Sequence, residues 1–108
     1  MPLYEEFAGD AALPEGLSAY RRTDVFTQDT VPAALLKAHN TKDGVWALIK
    51  VLEGELIYRV ADPRRRASKT MLTPRTLPGV IEPTILHAVE PVGAVRFFVE
   101  FHRKEIAA

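Results

Sequence analysis

A chain of 108 residues is the size of one domain, and 47% apolar with 26% charged residues is the composition of a globular core rather than of a disordered chain. Fourteen basic residues balance fourteen acidic ones, so no net field gathers a nucleic acid or an anionic membrane surface. The lack of cysteine removes disulfides, thiolate ligands and a cysteine nucleophile together, leaving any metal to His and carboxylates.

Residues 1–16 are acidic and alanine-rich, with Pro14 and Gly16, and read as an N-terminal arm. They contain no basic segment followed by an apolar core, and no apolar run in the chain approaches the ~20 residues of a membrane span. A cytoplasmic protein is expected. The domain is expected over 17–105, with 106–108 as a C-terminal tail. Residues 18–25 suit a first edge strand, and 24–32, rich in Thr, Asp and Gln, suit a loop. The stretch 33–39 has helical propensity but follows Pro32 and is cut off by Asn40 to Gly44, so one helical turn and a short strand are both open.

Beyond Gly44 the β signal strengthens. Val45, Ala47, Ile49 and Val51 alternate with Trp46, Leu48, Lys50 and Leu52, apolar on both faces as in a strand covered on two sides. With Glu53-Gly54 as a turn and 55–60 returning, 45–60 is predicted to be a hairpin. A basic loop follows over 62–68, then a short strand over 71–73. Prolines 74, 78, 83 and 91 allow only brief strands after it. The closing strand, 95–102, carries Val95, Phe97, Val99 and Phe101 on one face. Many short strands joined by Gly and Pro turns specify an all-β barrel or sandwich.

Two segments carry a more specific signal. His39-Asn40-Thr41-Lys42 leads to Leu52-Glu53-Gly54, and Pro78-Gly79 is followed by Glu82-Pro83 and His87. With Trp46, Glu90 and the closing Arg96-Phe97-Phe98-Val99-Glu100-Phe101, the text resembles the TehB-like group of cupins over about 17–103. The resemblance implies a cupin-type double-stranded β-helix, a jelly-roll barrel, with a metal site in its mouth. It includes the N-terminal part of tellurite-resistance proteins and small stand-alone relatives. The best-known members carry a methyltransferase domain after the cupin. This chain stops at Ala108 with no Gly-rich nucleotide loop, so methyl transfer is not carried over. The first cupin motif normally supplies two His and a Glu. Only His39 is present here, with Thr41 and Ala47 near the other positions.

His39 and His87 are therefore the candidate metal ligands, since two imidazoles on neighbouring strands of a narrow barrel can converge on one ion. The plainer alternative for each is a hydrogen-bonded histidine at a loop edge. The expected cofactor is a divalent metal, zinc first, then iron or nickel. A third ligand is needed, and Glu82, Glu90 and Glu100 are the candidates as pocket or supporting groups. Glu100 shares a strand face with Arg96 and reads equally as an exposed ion-pair partner. His102, beside Arg103 and Lys104, is expected to be solvent-exposed. Lys42 offers a cation near the mouth, or is a solvated turn lysine. Arg64-Arg65-Arg66 reads as a solvated loop.

The leading functional expectation is a small metal-binding cupin that handles or senses a small toxic or oxidising compound. One rival is a cofactor-free module that binds a small molecule or anion; the other is a mononuclear iron or zinc oxygenase or isomerase. The expected partners are a small-molecule ligand and a second copy, with Phe98 and Leu48 on non-core faces as the basis for a homodimer. Neither nucleic acid nor membrane is expected.

Overall fold

The computed structural model describes residues 13–105, so most of the arm expected over 1–16 and the whole tail expected over 106–108 lie outside the described residues. In chain order the elements are β1 (Leu17–Arg22), β2 (Phe26–Thr27), a 3-10 turn (Ala33–Leu36), β3 (Trp46–Val60), β4 (Ser68–Leu72), β5 (Gly79–Ile81) and β6 (His87–Lys104). The strands form one six-stranded antiparallel sheet, and this is an all-β domain. The open choice over 33–39 resolves as the single 3-10 turn.

Two long strands organise the others. β3 and β6 pair along their whole lengths, from Trp46 opposite His102 to Val60 opposite His87. β1 and β2 add to the free side of β6. On the free side of β3, Ala47 to Ile49 pair with β5 and Leu56 to Val60 pair with β4.

The hairpin expected over 45–60 is not formed. Glu53 and Gly54 lie inside β3, where the register against β6 shifts between Val51 and Glu53 and again between Gly54 and Glu55. Gly54 has φ +83, the left-handed conformation that a glycine bulge requires. A turn glycine and a bulge glycine present the same local text, which is why the sequence pattern pointed to a turn. The bulge also switches parity. Ala47, Ile49 and Val51 face inward before it, and Leu56 and Tyr58 after it. One strand of 15 residues thus bends and feeds one core from both halves.

That core is made by the inward residues of β3 together with Leu72, Ile81, Val89, Val95, Phe97 and Val99. Phe97 and Leu56 are fully buried, each worth about 1.5–3 kcal/mol of transfer free energy. Phe98, on the other face of β6, is also buried, because the Arg22 guanidinium of β1 stacks 4.2 Å from its ring centroid. It is not an exposed apolar group, and the dimer expectation loses that part of its basis. The exposed large apolar side chains include Leu52, Met71, Leu77 and Val92.

Candidate functional site

A cavity of about 270 Å³ opens between the 3-10 turn, β2 and the inner face of the sheet. Its walls are apolar, with Phe26, Leu35, Ile49, Val89, Phe97 and Phe101 among them. The polar groups that reach it are Thr23, Thr41, His39 and His87.

Backbone pairing brings the two histidines together. His39 N donates to His87 O at 2.9 Å and His87 N donates to His39 O at 2.8 Å, an isolated antiparallel bridge that fixes the two Cα positions opposite one another. The rings lie edge to face, with centroids 5.3 Å apart. His87 is 4% exposed, and its Nδ1 lies 3.0 Å from Ile85 O. A carbonyl only accepts, so Nδ1 carries the proton. Burial holds the His87 pKa below its ordinary value, against the raising effect of the Ile85 bond and with help from His39. Neutral His87 therefore presents Nε2 as an acceptor. Among the described residues no buried side-chain nitrogen or oxygen lacks a partner, and Nδ1 is the only His87 ring nitrogen that makes a bond, so Nε2 stays accessible on a side chain that lines the cavity.

Tyr58 stands on the far side of His87, with ring centroids 6.0 Å apart. Its hydroxyl donates to Val80 O at 2.8 Å, and burial, with Glu82 nearby, raises its pKa, so it remains a neutral phenol.

The loop ahead of His87 is held in part by Arg64, which in the sequence reads as part of a solvated loop. Pro83 and Thr84 occupy the middle of a turn closed by Ile85 N donating to Glu82 O at 3.4 Å, and Thr84 has φ +64. Pro followed by a positive-φ residue is the pattern of a type II turn, where glycine is usual. A β-branched residue there stores roughly 1–3 kcal/mol of strain. Two loops clamp it through three bonds: Thr84 N donates to Thr41 O at 3.1 Å, Asn40 Nδ2 to Thr84 O at 3.3 Å and Arg64 Nη2 to Thr84 O at 2.7 Å. Arg64 is in turn gripped by buried Asp62, which accepts its Nε at 2.9 Å, its Nη2 at 2.8 Å and its backbone N at 2.8 Å. The second carboxylate oxygen of Asp62 also accepts Leu86 N at 2.9 Å, beside His87. The Arg64 bonds, then the backbone bonds, hold the Asp62 carboxyl well below the usual carboxylate range. Asp62-Pro63 did carry a local signal, because an Asp two residues before a turn amide is an Asx turn.

The three acidic candidates do not join the histidines. Glu82 makes a two-pronged pair with Arg65, which lowers its pKa. Glu90 pairs with Arg59 at 2.7 Å on the exposed face of the sheet. Glu100 accepts His102 Nε2 at 2.8 Å and lies 3.3 Å from Lys50, not beside Arg96. Burial alone would raise the Glu100 carboxyl, but these two partners outweigh it and leave it lowered. His102 is correspondingly half-buried rather than free in solvent.

The description of the TehB-like domain matches residues 21–99. The chain belongs to the TehB-like family. Two proteins of Haemophilus influenzae strains, each named as a probable S-adenosyl-L-methionine-dependent methyltransferase TehB, are 32% and 31% identical to it over 78 residues. The aligned part is 71% of this chain, and the chain spans only 27% of the length of these TehB relatives. The crystal structure of TehB from Haemophilus influenzae superposes with a TM-score of 0.76 at 27% identity, covering 83% of this chain and 32% of that one. A crystal structure from Escherichia coli K12 also has a TM-score of 0.76, at 21% identity, and covers 87% of this chain and 97% of that one, which shows a shared fold.

The metal expectation is corrected on these findings. Among the described residues no group of three or more His, Cys, Asp or Glu is placed to hold a metal ion, because each expected carboxylate is tied to a basic partner elsewhere. The cofactor named for the TehB relatives is S-adenosylmethionine, not zinc, iron or nickel. The described residues do not fit that cofactor as a resident group either. They contain a single four-residue 3-10 turn as their only helix and no glycine-rich loop opening a longer one. No helix among them is long and apolar enough to cross a membrane.

Proposed function

We propose that this TehB-like chain is a small-molecule-binding domain on a cupin-type double-stranded β-helix, spanning about residues 17–105. It holds a compact, mainly apolar ligand against His87. The setting is the handling or sensing of a small toxic or oxidising compound, the role to which the tellurite-resistance resemblance points. The observation that carries the reading is neutral, buried His87, its Nε2 without a partner among the described residues, on the wall of a mainly apolar cavity. Ligand pockets are mostly apolar with a few placed polar groups that set orientation. At about 270 Å³ the cavity exceeds the ~150 Å³ that takes benzene and lies below the usual ~300–1,000 Å³ for drug-sized ligands. Its occupant is therefore small, with an O–H or N–H group aimed at Nε2.

Amide chemical-shift titration with para-cresol, and with toluene, which lacks the donor, tests this. Para-cresol should bind about tenfold more tightly, the value of one net hydrogen bond. His87→Phe keeps the apolar wall and should erase that preference. Shift changes absent from the amides of His87, Val89 and Phe97 would refute the site.

A further inference from the structure

The inner cavity adjoins a second one at His39. His39, Thr41 and Phe101 also line a second, more open cavity of about 270 Å³, whose other walls include Arg21 and Lys42. The two spaces therefore adjoin at these three residues, the inner one mainly apolar and the outer one carrying two cations. Arg21 lies 5.9 Å from the Phe101 ring centroid, so the ring steadies the guanidinium while its N–H groups remain open. Among the described residues neither Arg21 nor Lys42 makes an ion pair, and it is their place beside the cavity that sets them apart from the other unpaired basic residues, such as Arg66 and Arg75. Two of the other polar side chains at the junction are engaged, Thr41 Oγ1 donating to Val45 O at 2.7 Å and Asn40 Nδ2 to Thr84 O, while the His39 ring makes no hydrogen bond among the described residues. What remains at the mouth is unmatched positive charge next to an apolar hole.

From this placement, and resting on the pocket reading above, we propose that the site selects a small organic monoanion, a hydroxylated aromatic or similarly compact apolar carboxylate. Its body fills the inner cavity, its hydroxyl donates to His87 Nε2, and its carboxylate sits at the mouth between Arg21 and Lys42. The polarity of the ligand is set by the residues. Neutral His87 is an acceptor and disfavours a carboxylate at the inner end, while Arg21 and Lys42 are donors only and favour one at the outer end.

Calorimetry on the full chain with para-hydroxyphenylacetate, para-cresol and phenylacetate separates the terms. Para-hydroxyphenylacetate should bind about tenfold more tightly than para-cresol at low salt, and the ratio should shrink as added salt shortens the screening length. The double variant Arg21→Gln, Lys42→Gln should remove that ratio. Equal affinities for the acid and para-cresol in the unaltered protein overturn the anion assignment and leave the pocket reading standing. A ratio that survives the double variant overturns the assignment of Arg21 and Lys42. Phenylacetate binding as tightly as para-hydroxyphenylacetate removes the hydroxyl from His87. If none of the three binds, both readings fall.

Discussion

Replacing Gly54 by alanine tests the claim that one bent strand, not a hairpin, builds the site. A Cβ on Gly54 would stand 2.1 Å from the Ala94 carbonyl oxygen and 2.9 Å from Val95 Cα, both main-chain atoms of β6. Neither can swing aside as a side-chain end can. An L-residue at φ +83 costs about 1–2 kcal/mol by itself. Forcing the paired strand to move adds roughly 1–3 kcal/mol more. The expected loss is then about 2–5 kcal/mol, a large share of the ~5–15 kcal/mol that holds a typical domain folded. Gly44→Ala is the matched control, since Gly44 has φ +80 but nothing within 4 Å of the added carbon. It should lose only the conformational part, about 1–2 kcal/mol, and both variants share the same unfolded-state gain. Urea unfolding followed by Trp46 fluorescence gives the two midpoints. If Gly54→Ala proves no more damaging than Gly44→Ala, the close approach of β3 to β6 at the bulge is wrong.

His87 should make stability fall on mild acidification. Its folded pKa lies below the unfolded value near about 6.5, so the unfolded chain binds the proton more readily and stability is lost as pH drops from that value toward the lowered folded one. His87→Gln should flatten the loss that sets in as pH falls below about 6.5, and an unchanged slope removes His87 as the cause. The lowered carboxyls of Asp62, Glu82 and Glu100 act in a separate window, losing their contribution only as pH falls below about 4. Arg64→Ala should speed hydrogen exchange at the Thr84 and Leu86 amides, because it frees the strained turn and leaves Asp62 without its main partner. Exchange at Phe97, in the β3–β6 ladder, should be unaltered, and slow exchange retained at Leu86 would show that the clamp does not hold the His87 loop.

The sequence alone determined what depends on near neighbours. Alternation at Val95, Phe97 and Val99 encodes a strand with one buried face, and those residues form the core. Ala47, Ile49 and Val51 do the same on β3. The segments around His39 and His87, with Trp46, Glu90 and the closing Arg96 to Phe101, carry the TehB-like resemblance, and the family match over 21–99 bears it out. The tertiary structure decided everything that depends on register between distant strands. Gly54 reads alike as turn or bulge, because both need the same positive φ, and only the β6 backbone beside it selects the bulge. Glu82, Glu90 and Glu100 read as available ligands, yet Arg65, Arg59 and Lys50 pair with them from 17, 31 and 50 positions away in the chain, and only His102, beside Glu100, is a local partner. Charge pairing across a sheet follows which residues the ladder sets opposite one another, and no local pattern carries that. Arg64 was read as solvated for the same reason, since its target, the Thr84 carbonyl, comes within reach only when the loops around 40, 64 and 84 close over the end of the sheet.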